Sequence, residues 1–159
     1  MRPPPFVATP LPADPRYVRD QTTGLVWHRV FHRVLYADTD RSGAVYHANY
    51  LRYFEFGRAT LLRDASFPYK DIESSGYIYP VIRVGLEFLY PLHYDSPMWV
   101  YTRFRELKRI RLVFDYVITH ADSAKLICRG FTEHCATNLR GRPVEVDAMT
   151  RQIYQGFPK

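Results

Sequence analysis

Two carboxylates, Asp38 and Asp40, stand just ahead of Gly43 and of a run from Ala44 to Asn49 that leads into a helix-like pattern. Residues i and i+2 of an extended chain share a side. The spacing therefore predicts Asp38 and Asp40 within a few ångströms of each other, with one pKa raised towards that of a usable base. Taken alone, Asp-Thr-Asp is also ordinary turn chemistry, because short acids close tight turns and cap helices. The residues that follow give it a chemical use. Gly43 permits a sharp bend, and the first amides of a helix have no internal partners. With the helix dipole they form a seat for a carbonyl oxygen that is gaining negative charge. A carboxylate facing that seat can attack the carbonyl or activate water against it, so the chemistry indicated is acyl transfer.

Other reactive groups are weaker candidates. Ser42 has no paired acid and base beyond His47, no G-x-S-x-G elbow occurs, and neither cysteine lies in a helix-opening turn. His28 and His32 share a strand face but no third ligand follows at a telling distance, so no metal is expected. Glu55 and Arg58 can be read as a catalytic acid and its partner, but an i,i+3 ion pair on a helix is the simpler reading. Cys128 and Cys135 fall seven apart in one extended segment, which places them on opposite sheet faces as free thiols.

These residues need elements to hold them. Val26 to Ala37 is rich in β-branched and aromatic residues and reads as a first strand, broken by Asp-Thr-Asp-Arg-Ser-Gly. Ala48 to about Asp64 switches to a helical period, with Leu51, Phe54, Arg58 and Leu62 on one face and the charged residues at 52, 55 and 63 leaving a narrow polar stripe. A helix apolar over most of its surface is enclosed, here by a curved sheet and a partner. Loop signals follow, then four alternating segments near Val81–Tyr90, Met98–Leu107, Arg111–His120 and Lys125–Asn138. The short links at Lys108-Arg109 and Ala121-Asp122-Ser123 imply antiparallel hairpins. The class is α+β, one long helix on an antiparallel sheet. Six of the twelve prolines lie in the first two dozen residues, so residues 1–25 read as an extended arm without helix or inner strand, and 26–159 as the domain proper. The tail after Arg140-Gly141-Arg142-Pro143 is weakly patterned.

A formal charge of +6 admits nucleic acid, an anionic membrane face or a phosphate-bearing ligand. Arg103, Arg105, Lys108, Arg109 and Arg111 cluster at one strand connection, which suits a few phosphates better than a long polyanion. A solvated hairpin tip is the plain alternative. No stretch has the length of a membrane span and no signal segment opens the chain, so a cytoplasmic protein without integral membrane association is expected.

The run Val34-Leu-Tyr-Ala-Asp-Thr-Asp-Arg-Ser-Gly-Ala-Val-Tyr-His-Ala-Asn-Tyr-Leu-Arg-Tyr-Phe-Glu-Phe-Gly-Arg58 resembles the signature of the 4-hydroxybenzoyl-CoA thioesterase family of hot-dog proteins. It resembles closely that family's bacterial short-acyl-CoA thioesterase branch associated with the Tol-Pal system. Tyr79-Pro-Val-Ile-Arg83 and Tyr90-Pro-Leu-His-Tyr-Asp95 resemble the next strand and turn, and the likeness runs from about residue 28 to about 145. The resemblance implies a hot-dog fold, an antiparallel sheet wrapped around one long central helix. It implies Asp40 as the catalytic carboxylate, nucleophile or general base, with Asp38 as a supporting acid. The His47 backbone N–H would then meet the thioester oxygen, Gly43 would allow the turn, and Tyr46, Asn49 and Tyr50 would shape the pocket. Lys108, Arg109 and Arg111 fall where relatives hold the phosphates of coenzyme A, although Arg111 replaces a smaller polar residue found in some of them. The family forms dimers or tetramers whose neighbouring subunits complete each site.

The expected function is hydrolysis of an acyl-CoA to a free acid and coenzyme A, with no cofactor beyond the coenzyme A of the substrate. Two other readings stay open: an acyl-carrier-protein substrate whose acidic helix would meet the basic cluster, and a non-catalytic acyl-binding module. A binder has no need of an acid aimed at the carbonyl. A nucleic-acid role would rest on net charge alone, and none is expected.

Overall fold

Alternating strands bury one face only against a second layer, and in the computed structural model, which describes residues 1–159, that layer is one long helix. The strands are β1 (Ala8–Pro10), β2 (Tyr17–Asp20), β3 (Val26–Arg33), β4 (Tyr77–Ile78), β5 (Val81–Phe88), β6 (Pro97–Leu107), β7 (Arg111–His120), β8 (Leu126–Cys135) and β9 (Thr137–Asn138). The helices are α1 (Asn49–Asp64), α2 (Tyr69–Ser74) and α3 (Ala148–Gly156). Seven strands form one antiparallel sheet in the order β1-β2-β3-β6-β7-β8-β5, and β4 pairs with β9 beside it. The architecture is the α+β hot-dog arrangement.

The helix lies on the inner sheet face, chiefly on β6 and β3. Tyr50, Tyr53, Phe54, Leu61 and Leu62 meet Met98, Val100, Phe104, Leu112, Phe114, Tyr116 and Ile118 in one core of 21 buried residues. Phe54 stacks on Tyr116 with ring centroids 4.3 Å apart, an aromatic contact that adds about 1 kcal/mol beyond area burial. Gly57 marks the close approach of helix to sheet: a Cβ there would lie 2.5 Å from Thr102 Oγ1. On β8, Cys128 is buried on the inner face and Cys135 half-buried, and both are free, as their spacing predicts.

The structure departs from the sequence reading in four places. The proline-rich start is built into the sheet: β2 is an inner strand between β1 and β3, and Phe6 packs on Trp27 and Tyr101 at 5.5 and 4.6 Å. The buried Asp20 carboxylate fastens this segment by accepting from the Val7 N–H at 3.0 Å. Proline is tolerated because β1 is an edge strand, with no ladder bond needed on its outer side. The expected last strand is interrupted at Ala136 and continues as β9 beside β4. The first strand stops at Arg33 and gives way to a single 3-10 turn, Tyr36–Asp38. The tail forms α3, whose first turn is capped by Asp147 accepting from the Thr150 N–H at 2.8 Å.

The two sheet edges differ. β1 has three residues and ends in Pro10, whereas β5 presents eight residues with Val81, Ile82, Val84 and Phe88 each more than two-fifths exposed.

Candidate active site

The loop between β3 and α1 is a tight excursion. Asp40 N–H bonds the Ala44 carbonyl at 2.9 Å, Gly43 N–H returns to the Asp40 carbonyl at 3.0 Å, and Gly43 has φ +83°. That left-handed value explains the glycine, which alone adopts it without strain. The return arm is pinned by Val45 N–H to the Leu92 carbonyl at 2.8 Å and by His93 Nδ1, 3.2 Å from the Gly43 carbonyl oxygen.

Asp38 and Asp40 do not sit together as strand alternation predicts: Asp38 closes the 3-10 turn Tyr36–Asp38 and is held by α1, whereas Asp40, past the extended Thr39, is held by its own turn at Ser42. Asp38 is buried and accepts from Tyr53 Oη at 2.8 Å and from the Leu35 N–H at 3.1 Å. Asp40 is exposed and accepts from Ser42 N–H and Oγ. Its pKa is accordingly lowered, first by the Ser42 hydroxyl and next by the Ser42 amide, opposite to the rise that a carboxylate pair would have produced. The His47 imidazole is near enough to lower it further by its charge.

Helix α1 opens without a side-chain cap. The N–H groups of Asn49, Tyr50 and Leu51 turn back to the carbonyls of Tyr46, His47 and Ala48, while those of His47 and Ala48 bond nothing in the chain. Two exposed amides at a positive helix end are thus presented beside the Asp40 loop. Tyr46 is exposed and packs on the His47 ring at 4.4 Å. Asn49 instead turns inward, donating Nδ2 to the Asp38 carbonyl at 2.8 Å. Tyr50 is buried against Phe88, with ring centroids 5.2 Å apart, and its Oη accepts from the Leu92 N–H at 3.3 Å.

The basic residues lie elsewhere in the chain. Lys108 pairs with Glu106 at 3.3 Å, Arg109 with Glu145 at 2.8 Å and Arg111 with Glu133 at 3.1 Å, while Arg103 and Arg105 share Asp115. Asp40 follows the end of β3 that pairs with Pro97 at the start of β6, and Lys108 stands past the far end of β6, eleven residues on. At about 3.3 Å per residue that separation is roughly 35 Å along the strand. One chain therefore does not bring the two groups together, and none of the main cavities is lined by Asp40, Gly43, Tyr46 or His47.

Glu55 and Arg58 form no ion pair; Arg58 donates to Tyr116 Oη at 3.1 Å instead, starting a buried chain that runs through Thr132 Oγ1 to His134. Periodicity could not reveal this chain, since its members come from α1, β7 and β8. His28 is bonded to Asp64 at 2.7 Å, and His32 packs on Phe56 at 4.9 Å.

The sequence from Val34 to Ile153 matches the thioesterase-like superfamily. The chain belongs to that family. A putative acyl-CoA thioesterase, YneP of Bacillus subtilis, is 34% identical over 113 residues, covering 70% of this chain and 81% of its own. The acyl-CoA thioester hydrolase YbgC of Escherichia coli is 28% identical over 111 residues, 70% of this chain and 83% of its own. Among solved structures, the DHNA-CoA thioesterase of Staphylococcus aureus superposes with TM-score 0.77 at 26% identity, covering 82% of this chain and 89% of that one. The superfamily match begins at Val34, so β1 and β2, with the segment that packs on Trp27, lie outside it.

Proposed function

We propose that this thioesterase-family protein hydrolyses an acyl-CoA thioester, releasing a carboxylic acid and coenzyme A. The observation that carries the reading is the pair of unpartnered amides, His47 and Ala48, at the uncapped start of α1 beside the ionised, exposed Asp40. The thioester oxygen would accept from these amides while the Asp40 carboxylate attacks the carbonyl carbon or takes a proton from attacking water. The C–S bond then breaks, and the leaving thiolate takes a proton to become the coenzyme A thiol. If Asp40 attacks, the mixed anhydride it forms is hydrolysed by water in a second step.

The site is completed in a dimer. An unpaired eight-residue edge with exposed apolar side chains is open to a second copy of itself. Antiparallel pairing of the two β5 strands sets the Phe88 end of one copy beside the Val81 end of the other. The partner's inner face and basic hairpin then approach the Asp40 loop that a single chain leaves open. Lys108, Arg109 and Arg111 are in that case the groups available to the phosphates of coenzyme A, exchanging their present carboxylates for them. No helix of the structure is long and apolar enough to cross a membrane.

The experiment is thiol release from short, long and aromatic acyl-CoAs, with wild type and Asp40→Asn side by side. The expected result is hydrolysis by the wild type and a loss of at least 100-fold in the variant. Full activity in the variant would remove Asp40 from the mechanism. Inactivity of the wild type on every acyl-CoA would move the substrate to an acyl-carrier protein or the role to acyl binding.

A further inference from the structure

Asp38 is the point at which the loop and the helix are tied together. Its Oδ2 accepts from Tyr53 Oη at 2.8 Å and from Leu35 N–H at 3.1 Å. Its carbonyl oxygen accepts from Asn49 Nδ2 at 2.8 Å and from Tyr46 N–H at 2.9 Å. Two of these donors belong to α1 and two flank the loop on either side. Asp40 lies two residues downstream of Asp38, and His47 directly follows Tyr46, so both halves of the proposed site hang from this one residue.

We propose that Tyr53 is a positioning residue for the hydrolytic site: its phenol fixes Asp38, and through Asp38 it sets Asp40 against the amides of His47 and Ala48. The proposal rests on the hydrolase reading above. A carboxylate that is 3% exposed must be met by donors, because burial without them is strongly unfavourable. Arg52 approaches to 3.6 Å, but its side chain is 69% exposed and cannot define a position. Tyr53 can. It is buried, its ring is bracketed by His32 at 5.5 Å and Tyr50 at 5.9 Å, and its hydroxyl therefore has one place to be. Burial first, and then the Asp38 hydrogen bond, push the phenol pKa upward, so it remains a proton donor over any working pH.

Phenylalanine at this position keeps the ring and removes the hydroxyl alone. Asp38 Oδ2 is then left with the single donor of Leu35, and the carboxylate is free to turn towards Arg52 and the adjoining cleft of about 330 Å³ that both residues line. Such a turn drags the backbone that leads to Asp40, and misplacement of a reacting group by about 1 Å costs up to roughly 100-fold in rate.

The test compares wild type with Tyr53→Phe by steady-state hydrolysis of acyl-CoA and by amide hydrogen exchange. The expected result is a fall in kcat of about 10- to 100-fold with KM within about twofold. Leu35 and Tyr46 amides should exchange faster while those of β7 and β8 are unchanged. Adding Asp38→Asn to Tyr53→Phe should cost no more than the larger single loss, since the two act as one unit. An active wild type with an equally active Tyr53→Phe overturns the proposal, as does faster exchange throughout the sheet, which would make Tyr53 an ordinary core residue. An inactive wild type whose loop exchange still depends on Tyr53 marks failure of the hydrolase reading instead.

Discussion

The carboxylate of Asp40 and the side chain of Ser42 form a closed pair, with Oδ1 accepting the Ser42 N–H at 2.8 Å and its hydroxyl at 2.5 Å. Both bonds favour the charged form, so the carboxyl titrates below its ordinary 3.8 and is ionised at neutral pH. Activity that needs the carboxylate should therefore persist as pH falls and fail only below that value. Ser42→Ala removes the stronger of the two bonds, lets the pKa climb and moves the acid limb of kcat/KM to higher pH. A profile run from about pH 3 to 8 decides it; an unmoved limb would mean that the limb belongs to another group.

Gly57→Ala tests the helix–sheet contact. The added Cβ would stand 2.5 Å from Thr102 Oγ1 and 2.8 Å from Val100 Cγ1, both on the rigid inner face of β6. Overpacking of this kind costs about 1–3 kcal/mol, against the small gain that alanine gives an exposed helix. Urea denaturation should show a lower midpoint with an unchanged slope.

His134 predicts an acid-sensitive fold. It is buried, its Nδ1 lies 3.0 Å from the Tyr79 carbonyl and its Nε2 2.8 Å from Thr132 Oγ1. Burial first, and next the charge of Arg58, lower its pKa to about 4 from 6.5. The unfolded chain thus takes up a proton near pH 6.5 that the native state refuses until about pH 4. Stability should fall across that window by about 3 kcal/mol and level off below it. His28, also lowered by burial, adds a loss of the same sign. His134→Gln should flatten the dependence; an equally steep curve would assign it to other groups.

Val84→Lys places a charge in the middle of the β5 edge, where Val84 is 44% exposed in the single chain. Sedimentation should show the wild type at twice the chain mass and the variant at the chain mass, with hydrolysis reduced along with assembly. A wild type that sediments as a single chain would refute pairing through β5.

The long helix, its start at the end of the Asp40 loop and the β6–β7–β8 hairpins were legible because each is written in a short stretch: a 3.6-residue period, a glycine after an acid, two-residue alternation. What was hidden was set by partners distant in sequence. Nothing near Asp38 announces that its carboxylate will be spent on Tyr53 rather than on Asp40. The prolines of the first 25 residues argued against strand, yet Phe6 finds Trp27 and Tyr101, and that contact orders the segment. Six residues of α2 are too few for a periodic signal. Arg58 was offered Glu55 by spacing and took Tyr116, a choice that only the packing of α1 against β7 could make.

The unequal edges of the sheet also limit how far it can grow. A strand of three residues closed by Pro10 offers almost no backbone for another chain to join, while β5 offers eight residues. Once two β5 strands have met about a twofold axis, only blunted β1 edges remain at the outside. Association by strand addition through β5 would then be self-terminating: a ladder that built a pair could not go on to build a fibre.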